Sequence, residues 1–409
     1  MRERTPLARM VAAVRTFLTI LIIVAVAAGA LALYLYLTTP HETVAVRFPL
    51  TAAERAAIAR VPASADAFVY VPRAAQLQAK LTRNPMTRAL VQSWRSQHAM
   101  PQAWILGGAD LIAWQSGKEN RYLLRLDRVR QALVRLYLAM NGDVGRSVLI
   151  NGAGEPSIEA TELDAIEALS ASLPPGDALV VQRERSRAAF PPIGRPSVSS
   201  VQIGDDDLQI ASVAPASSSG NAAPLQIRVA RSAILSASFA TPPRMLGDIN
   251  RLFGNKVSDL LSDGGSIALY DIDTRKLLPR PLGVITFPAT GGHPADLDVL
   301  RKLGGRSERK GSDLVIAFDD SIDTYLRDAV DGAVVPGGRW AVRIDAERMM
   351  PILDRLRNNI GLRIASPRLF RAARDLDRWL GDLQQAKTID ATASTRGSFE
   401  ELKVRATTK

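Results

Sequence analysis

From Phe17 to Leu37 the chain reads FLTILIIVAVAAGALALYLYL, 21 residues without a charge. About twenty apolar residues, rising 1.5 Å each, match roughly 30 Å of hydrocarbon. This run therefore predicts a membrane-spanning helix. Arg2, Arg4, Arg9 and Arg15 precede it and no Lys or Arg follows until Arg47, so the positive-inside bias places the N-terminus in the cytoplasm. Tyr34 and Tyr36 suit the outer interface. A cleaved signal peptide is the competing reading, since Ala30-Leu31-Ala32 offers the small residues of a cleavage site. The run continues past that site to Leu37, which favours an uncleaved anchor. Either reading exports the remainder, and the expected localisation is a bacterial inner membrane, single-pass, with a periplasmic C-terminal region.

The 409 residues, 47% of them apolar, suffice for a substantial core. With no cysteine in the chain, disulfides, thiolate metal ligands and a cysteine nucleophile are all excluded. The formal charge of +11 is dilute. Four arginines and Glu3 before the apolar run account for +3 of it, leaving +8 over the rest. No concentrated basic run interleaved with aromatics is present, so nucleic acid is not an expected partner. The most basic stretch, SPRLFRAARDLDRW from Ser366, places Leu369, Ala372, Ala373 and Leu376 at helical spacing beside Arg368, Arg371, Arg374 and Arg378. It reads as an amphipathic helix with a solvated basic face, or alternatively as a surface for anionic lipid or polysaccharide.

Internal repetition organises the exported part. VPASADAFVYV at Val61 resembles LPPGDALVV at Leu173: a proline, a short turn, Asp-Ala, then an apolar strand. Related openings stand at Ser262 and at Val335. Four openings predict four related units. The last two match further, because GGSIALYDIDTRKLLP from Gly264 parallels GGRWAVRIDAERMMP from Gly337, and the helical ADLDVLRKLGG from Ala295 parallels RDLDRWLGDL from Arg374.

The expected fold class is α+β, an N-terminal transmembrane helix followed by repeated β-α-β-type units forming mixed or antiparallel sheets with helices packed on one face. The expected division is a basic stub at 1–16, the transmembrane helix at 17–37, a juxtamembrane helix and linker at 38–60, an α+β region at 61–241 containing a flexible loop at 215–224, and a second at 242–409 whose duplicated units start near 262 and 335. The loop, PASSSGNAAP, reads as a long hairpin connection or a linker.

Candidate chemistry is sparse. Asp127, Asp273 and Asp345 each follow an alternating strand and precede a helical pattern, and aspartate accepts the first free amide hydrogens of a helix. They are read as structural caps. Pro279 and Pro351, six residues on, predict a first turn separate from or kinked against the following helix. His41, His98 and His293 are isolated, with no metal-ligand spacing. No G-x-S-x-G elbow or S-x-x-K pair occurs. Gly152-x-Gly154 lacks the third glycine of a dinucleotide loop. GDDDLQI from Gly204 reads as a hairpin turn, with calcium as the competing reading. No cofactor, metal or catalytic residue is assigned.

The anchor, the openings at Val61 and Leu173 and the segments around Asp127 and Asp345 resemble a group of bacterial single-pass envelope proteins of unknown function. The resemblance implies an envelope location and a fold habit. Two functions follow as expectations. One is a membrane-anchored periplasmic interaction or scaffold protein, held by the lipid bilayer through residues 17–37 and facing another envelope protein or an anionic envelope component. The other is a hydrolase or transferase acting on envelope polymer through acidic residues such as Asp319 and Asp320.

Overall fold

In the computed structural model, the residues described are 26, 28–39, 43–88, 91–92, 106–117, 119–140, 148–150, 158–184, 186, 193–216, 224–240, 264–273, 279–288, 305–317, 319–365, 367–382 and 385–408. Pro-led turns and alternating apolar runs deliver the strands. In chain order they are β1 (Ala67–Val71), β2 (Asp110–Ser116), β3 (Glu119–Arg125), β4 (Val148–Ile150), β5 (Ala178–Gln182), β6 (Ser197–Ile203), β7 (Asp207–Pro215), β8 (Leu225–Ala230), β9 (Leu235–Phe239), β10 (Gly265–Asp273), β11 (Arg280–Pro288), β12 (Arg306–Lys310), β13 (Asp313–Ala317), β14 (Ala329–Val335), β15 (Gly338–Asp345), β16 (Thr388–Arg396) and β17 (Phe399–Thr407). The helices used below are α1 (Ala52–Ile58), α2 (Ala74–Arg83), α3 (Arg128–Met140), α4 (Ala160–Ser170), α5 (Ser321–Asp328), α6 (Ala346–Arg357), α7 (Ile360–Ala365) and α8 (Pro367–Asp382).

Fifteen strands form one sheet in the order β12-β13-β11-β10-β9-β15-β16-β17-β7-β6-β5-β1-β2-β3-β4, and β14 pairs separately with β8. The β3–β4 pairing is parallel, and the other ladders are antiparallel. The N-terminal strands β1–β7 and the C-terminal strands β9–β17 meet at β7 and β17, whose pairing runs from Phe399↔Pro215 to Thr407↔Asp207.

Directly paired residues share a face, so the register assigns each core to a side. On the front face, Leu123, Ile112, Tyr70 and Leu179 form one cross-strand row, and Trp114, Phe68, Val181, Val198 and Val213 form the next. Both rows lie under Ile58 of α1 and Leu163, Ile166 and Leu169 of α4. The back face carries Leu124 against α3. It also carries Ile344, Ile389, Leu402 and Val404 against α6 and α8. At the far C-terminal end the front face is covered again, by Ile322 and Tyr325 of α5 over Val284 and Val315. Beside it lies the β8–β14 ribbon, where Ser238 and Ser236 hydroxyls accept the amides of Arg228 and Ala230.

Two expectations are corrected by this arrangement. The fold is not a chain of β-α-β units with helices on one face; a single, almost wholly antiparallel sheet carries helices on both. The α+β character itself holds. The membrane-spanning helix and the single-pass inner-membrane localisation are also overturned, since among the described residues no helix is long and apolar enough to cross a membrane. Residues 1–25 lie outside the described set. The helical residues 28–38 end against the folded body. The guanidinium of Arg130, only 4% exposed, donates to Leu35 O at 3.2 Å, Thr38 Oγ1 at 3.0 Å and Thr39 Oγ1 at 3.1 Å, and Leu35 is buried.

β1 and β5, the strands of the two best-matched openings, lie side by side and antiparallel. Each is preceded by a helix, α1 or α4, on the same face, and Arg55 of α1 is ion-paired to Asp164 and Glu167 of α4. The third and fourth openings place β10 and β15 on either side of β9. Gly264 and Gly337 both take positive φ, 87° and 61°, a region only glycine occupies without strain.

Candidate binding face

Between its two covered ends, no helix among the described residues lies over the front face of the sheet at β16, β17, β7 and the Arg343 end of β15. The reason is legible in β17, where Leu402, Val404 and Ala406 are buried on the back while Lys403 and Arg405 are exposed on the front. Register carries the same division across the neighbours. Arg343, Asp390, Arg405, Gln209 and Gln202 lie opposite one another on β15, β16, β17, β7 and β6. Ala341, Thr392, Lys403, Ala211 and Ser200 form the adjoining row. Small residues, amides, hydroxyls and charges therefore pave a floor that would need large apolar residues if a helix were to cover it. A hollow of about 260 Å³ sits over Gln209, Thr392, Lys403 and Arg405, with Pro174 of the turn after α4 at its side.

Charge on this floor is layered. Arg405 meets Asp207 at 3.2 Å, Lys403 meets Glu401 at 3.9 Å and Arg343 meets Asp390 at 3.9 Å. Two of the three acids are sunk, Glu401 to 14% and Asp207 to 23% exposure, while Lys403 and Arg405 stand out at 72% and 59%; Asp390 and Arg343 are about equally exposed, at 47% and 50%. Formal charges balance, yet over β17 the cations Lys403 and Arg405 are what an approaching ligand meets. Asp207 also accepts Gln209 Nε2 at 2.8 Å.

The aspartates singled out by sequence are not part of this floor. Asp345 sits at the start of α6, where Oδ1 accepts the Arg348 amide at 3.0 Å. Asp127 Oδ1 accepts the amides of Val129 and Arg130, both at 3.0 Å, and Oδ2 accepts the Arg130 guanidinium. Its partial burial opposes ionisation, but the Arg130 amide, the Arg130 guanidinium and the Val129 amide together hold its pKa below the ordinary carboxylate value. Asp273 is different. It ends β10 opposite Arg280 of β11 in an antiparallel pair, and residues 274–278 lie outside the described set. Against β9, Leu235 pairs with Leu269 on one side and Ile344 on the other. Asp273 thus lies beyond the level of Asp345, and Pro279 leads into a strand. Pro351 is instead inside the continuous helix α6, which corrects the expected separate first turn.

Asp319 and Asp320 serve the turn before α5. Asp319 Oδ1 accepts the Ser321 amide at 2.8 Å, and Asp320 is fully solvent-exposed, 3.8 Å from Arg306. Among the described residues no group of three or more His, Asp or Glu side chains could hold a metal. His41, His98, His293, Gly152 and Gly154 lie outside the described set. Gly204–Asp206 joins β6 to β7 as a hairpin, closed by the Gly204 amide on Asp207 O at 2.9 Å. β7 and β8 belong to different sheets, so the connection 216–224 is not a hairpin loop. Of the basic stretch from Ser366, Arg371 and Arg374 are exposed on α8, whose Leu380 is buried in the core under the back face.

Sequence reasoning missed two sets of residues. The first is the aspartate inside each proline-led opening. Asp66 Oδ2 accepts the Gly117 amide at 2.7 Å, and Asp177 Oδ2 accepts the Ile203 amide at 2.9 Å, so the shared Asp ties each strand to its neighbour. Asp177, buried, also meets Lys80 at 2.7 Å. The second is the floor itself, for which the alternation of Glu401, Lys403 and Arg405 with apolar residues was the available signal. No protein-family model, curated protein or solved structure matches this chain, so the site stands on its own geometry.

Proposed function

We propose that the chain is an interaction or scaffold protein that presents the open front face of β7, β17, β16 and β15 to a partner. The observation that carries this reading is the interruption of cover. The same face is packed under helices at both ends and left polar in between, with the cations Lys403 and Arg405 uppermost. One face of an antiparallel sheet commonly meets water; a bare stretch bounded on both sides by packed elements is also a trough of roughly four strand spacings, or about 15–20 Å. That width admits an extended segment of another molecule.

The absence of cysteine from the chain makes the test direct. Lys403→Cys, carrying a photo-activated crosslinker, is expected to yield a discrete adduct in cells that make the protein. Arg309→Cys, on the edge strand β12, is the control. Adducts of equal yield from both positions, or none from position 403 in a folded protein, would overturn the reading.

A further inference from the structure

We infer that the occupant of the trough is an extended acidic peptide whose carboxylates alternate along its length. This deepens the interaction reading above and rests on it. Lys403 and Arg405 project from one strand two residues apart, which separates their attachment points by roughly 6.8 Å. An extended peptide laid along β17 repeats its same-side carboxylates at that spacing, so residues i and i+2 meet Lys403 and Arg405 in register. Arg343, two strands away and loosely paired at 3.9 Å, lies roughly 10 Å across the sheet, within reach of a long side chain from the same segment.

The layering described above gives the sign of the charge recognised. Glu401 and Asp207 are sunk beneath their partners, so over β17 an incoming carboxylate meets the tips of Lys403 and Arg405 first; Asp390, 47% exposed beside Arg343, confines that advantage to the β17 pair. Gln209, Gln202 and Thr392 lie beside the cations on the same face, and they offer amide and hydroxyl groups of the kind that bond a peptide main chain. The floor rows contain no aromatic ring, and Phe399 at the start of β17 is the single exposed ring on that face of the strand, whereas single-stranded nucleic acid is held by successive bases stacked on several aromatic side chains. A peptide is therefore the favoured occupant over a nucleic acid, and an acidic polysaccharide becomes an outcome of the test.

The probe is a fluorescein-labelled, end-blocked octapeptide alternating glutamate with serine, followed by anisotropy at low and high salt on the full chain. Comparison peptides carry the four glutamates contiguously, or glutamine throughout. The alternating peptide is expected to bind more tightly than the contiguous one, with affinity falling as salt rises. Lys403→Glu with Arg405→Glu should weaken it by at least about tenfold, and Arg309→Glu should leave it unchanged. If the double reversal melts early, Lys403→Gln and Arg405→Gln tested singly should each still weaken binding.

Equal affinity for alternating and contiguous peptides, or indifference to substitution at both 403 and 405, would overturn the inference. Polygalacturonate or single-stranded DNA displacing the peptide at a lower charge-equivalent concentration would do so too, by moving the site to another class of polyanion. A crosslinked partner at position 403 together with no peptide binding removes this inference and keeps the interaction reading. Peptide binding without a cellular adduct removes the interaction reading and this inference with it, leaving only a trough that attracts acidic peptides in vitro.

Discussion

Aspartate does the same physical work at four places in this chain, and each is a place where a strand begins or ends. Asp66 holds the amide of the turn after β2 and Asp177 the last amide of β6, while Asp127 and Asp345 hold the first amides of a helix. For Asp345 the expected consequence is that Asp345→Asn keeps most of its stability, since an amide oxygen accepts the same bond, while Asp345→Ala loses about 1 kcal/mol in denaturant unfolding. Equal losses for the two variants would show that the charge, 3.9 Å from Arg348, matters more than the cap. Asp127 adds a pH dependence. Its pKa is lowered in the folded state, so its contribution is complete above the ordinary aspartate value of about 3.9 and is lost as pH falls through the lower folded value. Because the same carboxylate orients Arg130, which holds Leu35, Thr38 and Thr39, the protection of amides 35–39, their exchange measured against the intrinsic rate at each pH, should fall in acid below about pH 4 and stay level from pH 5 to 8. Arg130→Met should leave those amides poorly protected at every pH.

At the scale of elements, α6 carries a proline that its neighbours did not require. Pro351 is exposed and six residues into the helix, where it denies the Glu347 carbonyl an amide donor. Replacing an interior proline by alanine gains up to about 3 kcal/mol of helix propensity, less about 1 kcal/mol from the looser unfolded chain. Pro351→Ala should therefore raise unfolding stability by about 2 kcal/mol; a loss would mean that the bond cannot close in this backbone. The comparison with Pro279 shows where the sequence was legible and where it was not. RMMP and KLLP look alike, yet Pro351 lies inside a helix while Pro279 stands immediately before β11. Periodicity at that length does not separate the two outcomes, and long-range pairing decides: β11 has β10 and β13 to pair with, while α6 covers the back of β15. Strand existence was readable from two-residue alternation, and the Asp345 cap from its position. Helices on both faces were not readable, because the side on which a helix packs depends on sheet order, which local pattern does not encode. The floor residues were hidden for a related reason: Arg343, Asp390 and Arg405 are 47 and 15 residues apart in sequence and become a row only through register.

For the whole molecule, the decisive joint is β7 with β17. It pairs the last strand of the chain with the end of the N-terminal half over nine residues of register, Phe399↔Pro215 through Thr407↔Asp207. Because Ala211 and Val213 point to the front core while Leu208 and Ile210 pack against the back core, β7 belongs to both. Asn84, fully buried at the end of α2, adds a clamp by donating to Gly204 O at 2.9 Å and Asp207 O at 3.0 Å. The connection between β7 and β8 is, by contrast, a run of small and polar residues. A protease site inserted after Ser218 should thus cut the chain into two pieces that remain associated through size-exclusion chromatography and separate only in denaturant. Leu402 faces the back core beside this joint and is 1% exposed; Leu402→Ala, at a cost of about 2–5 kcal/mol for a buried leucine, should let the nicked pieces part at lower denaturant. Pieces that separate in buffer while each keeps its own melting transition would show that the sheet is two bodies in contact, and the trough, which draws Gln209 from one half and Lys403, Thr392 and Arg343 from the other, would then open and close with their dissociation.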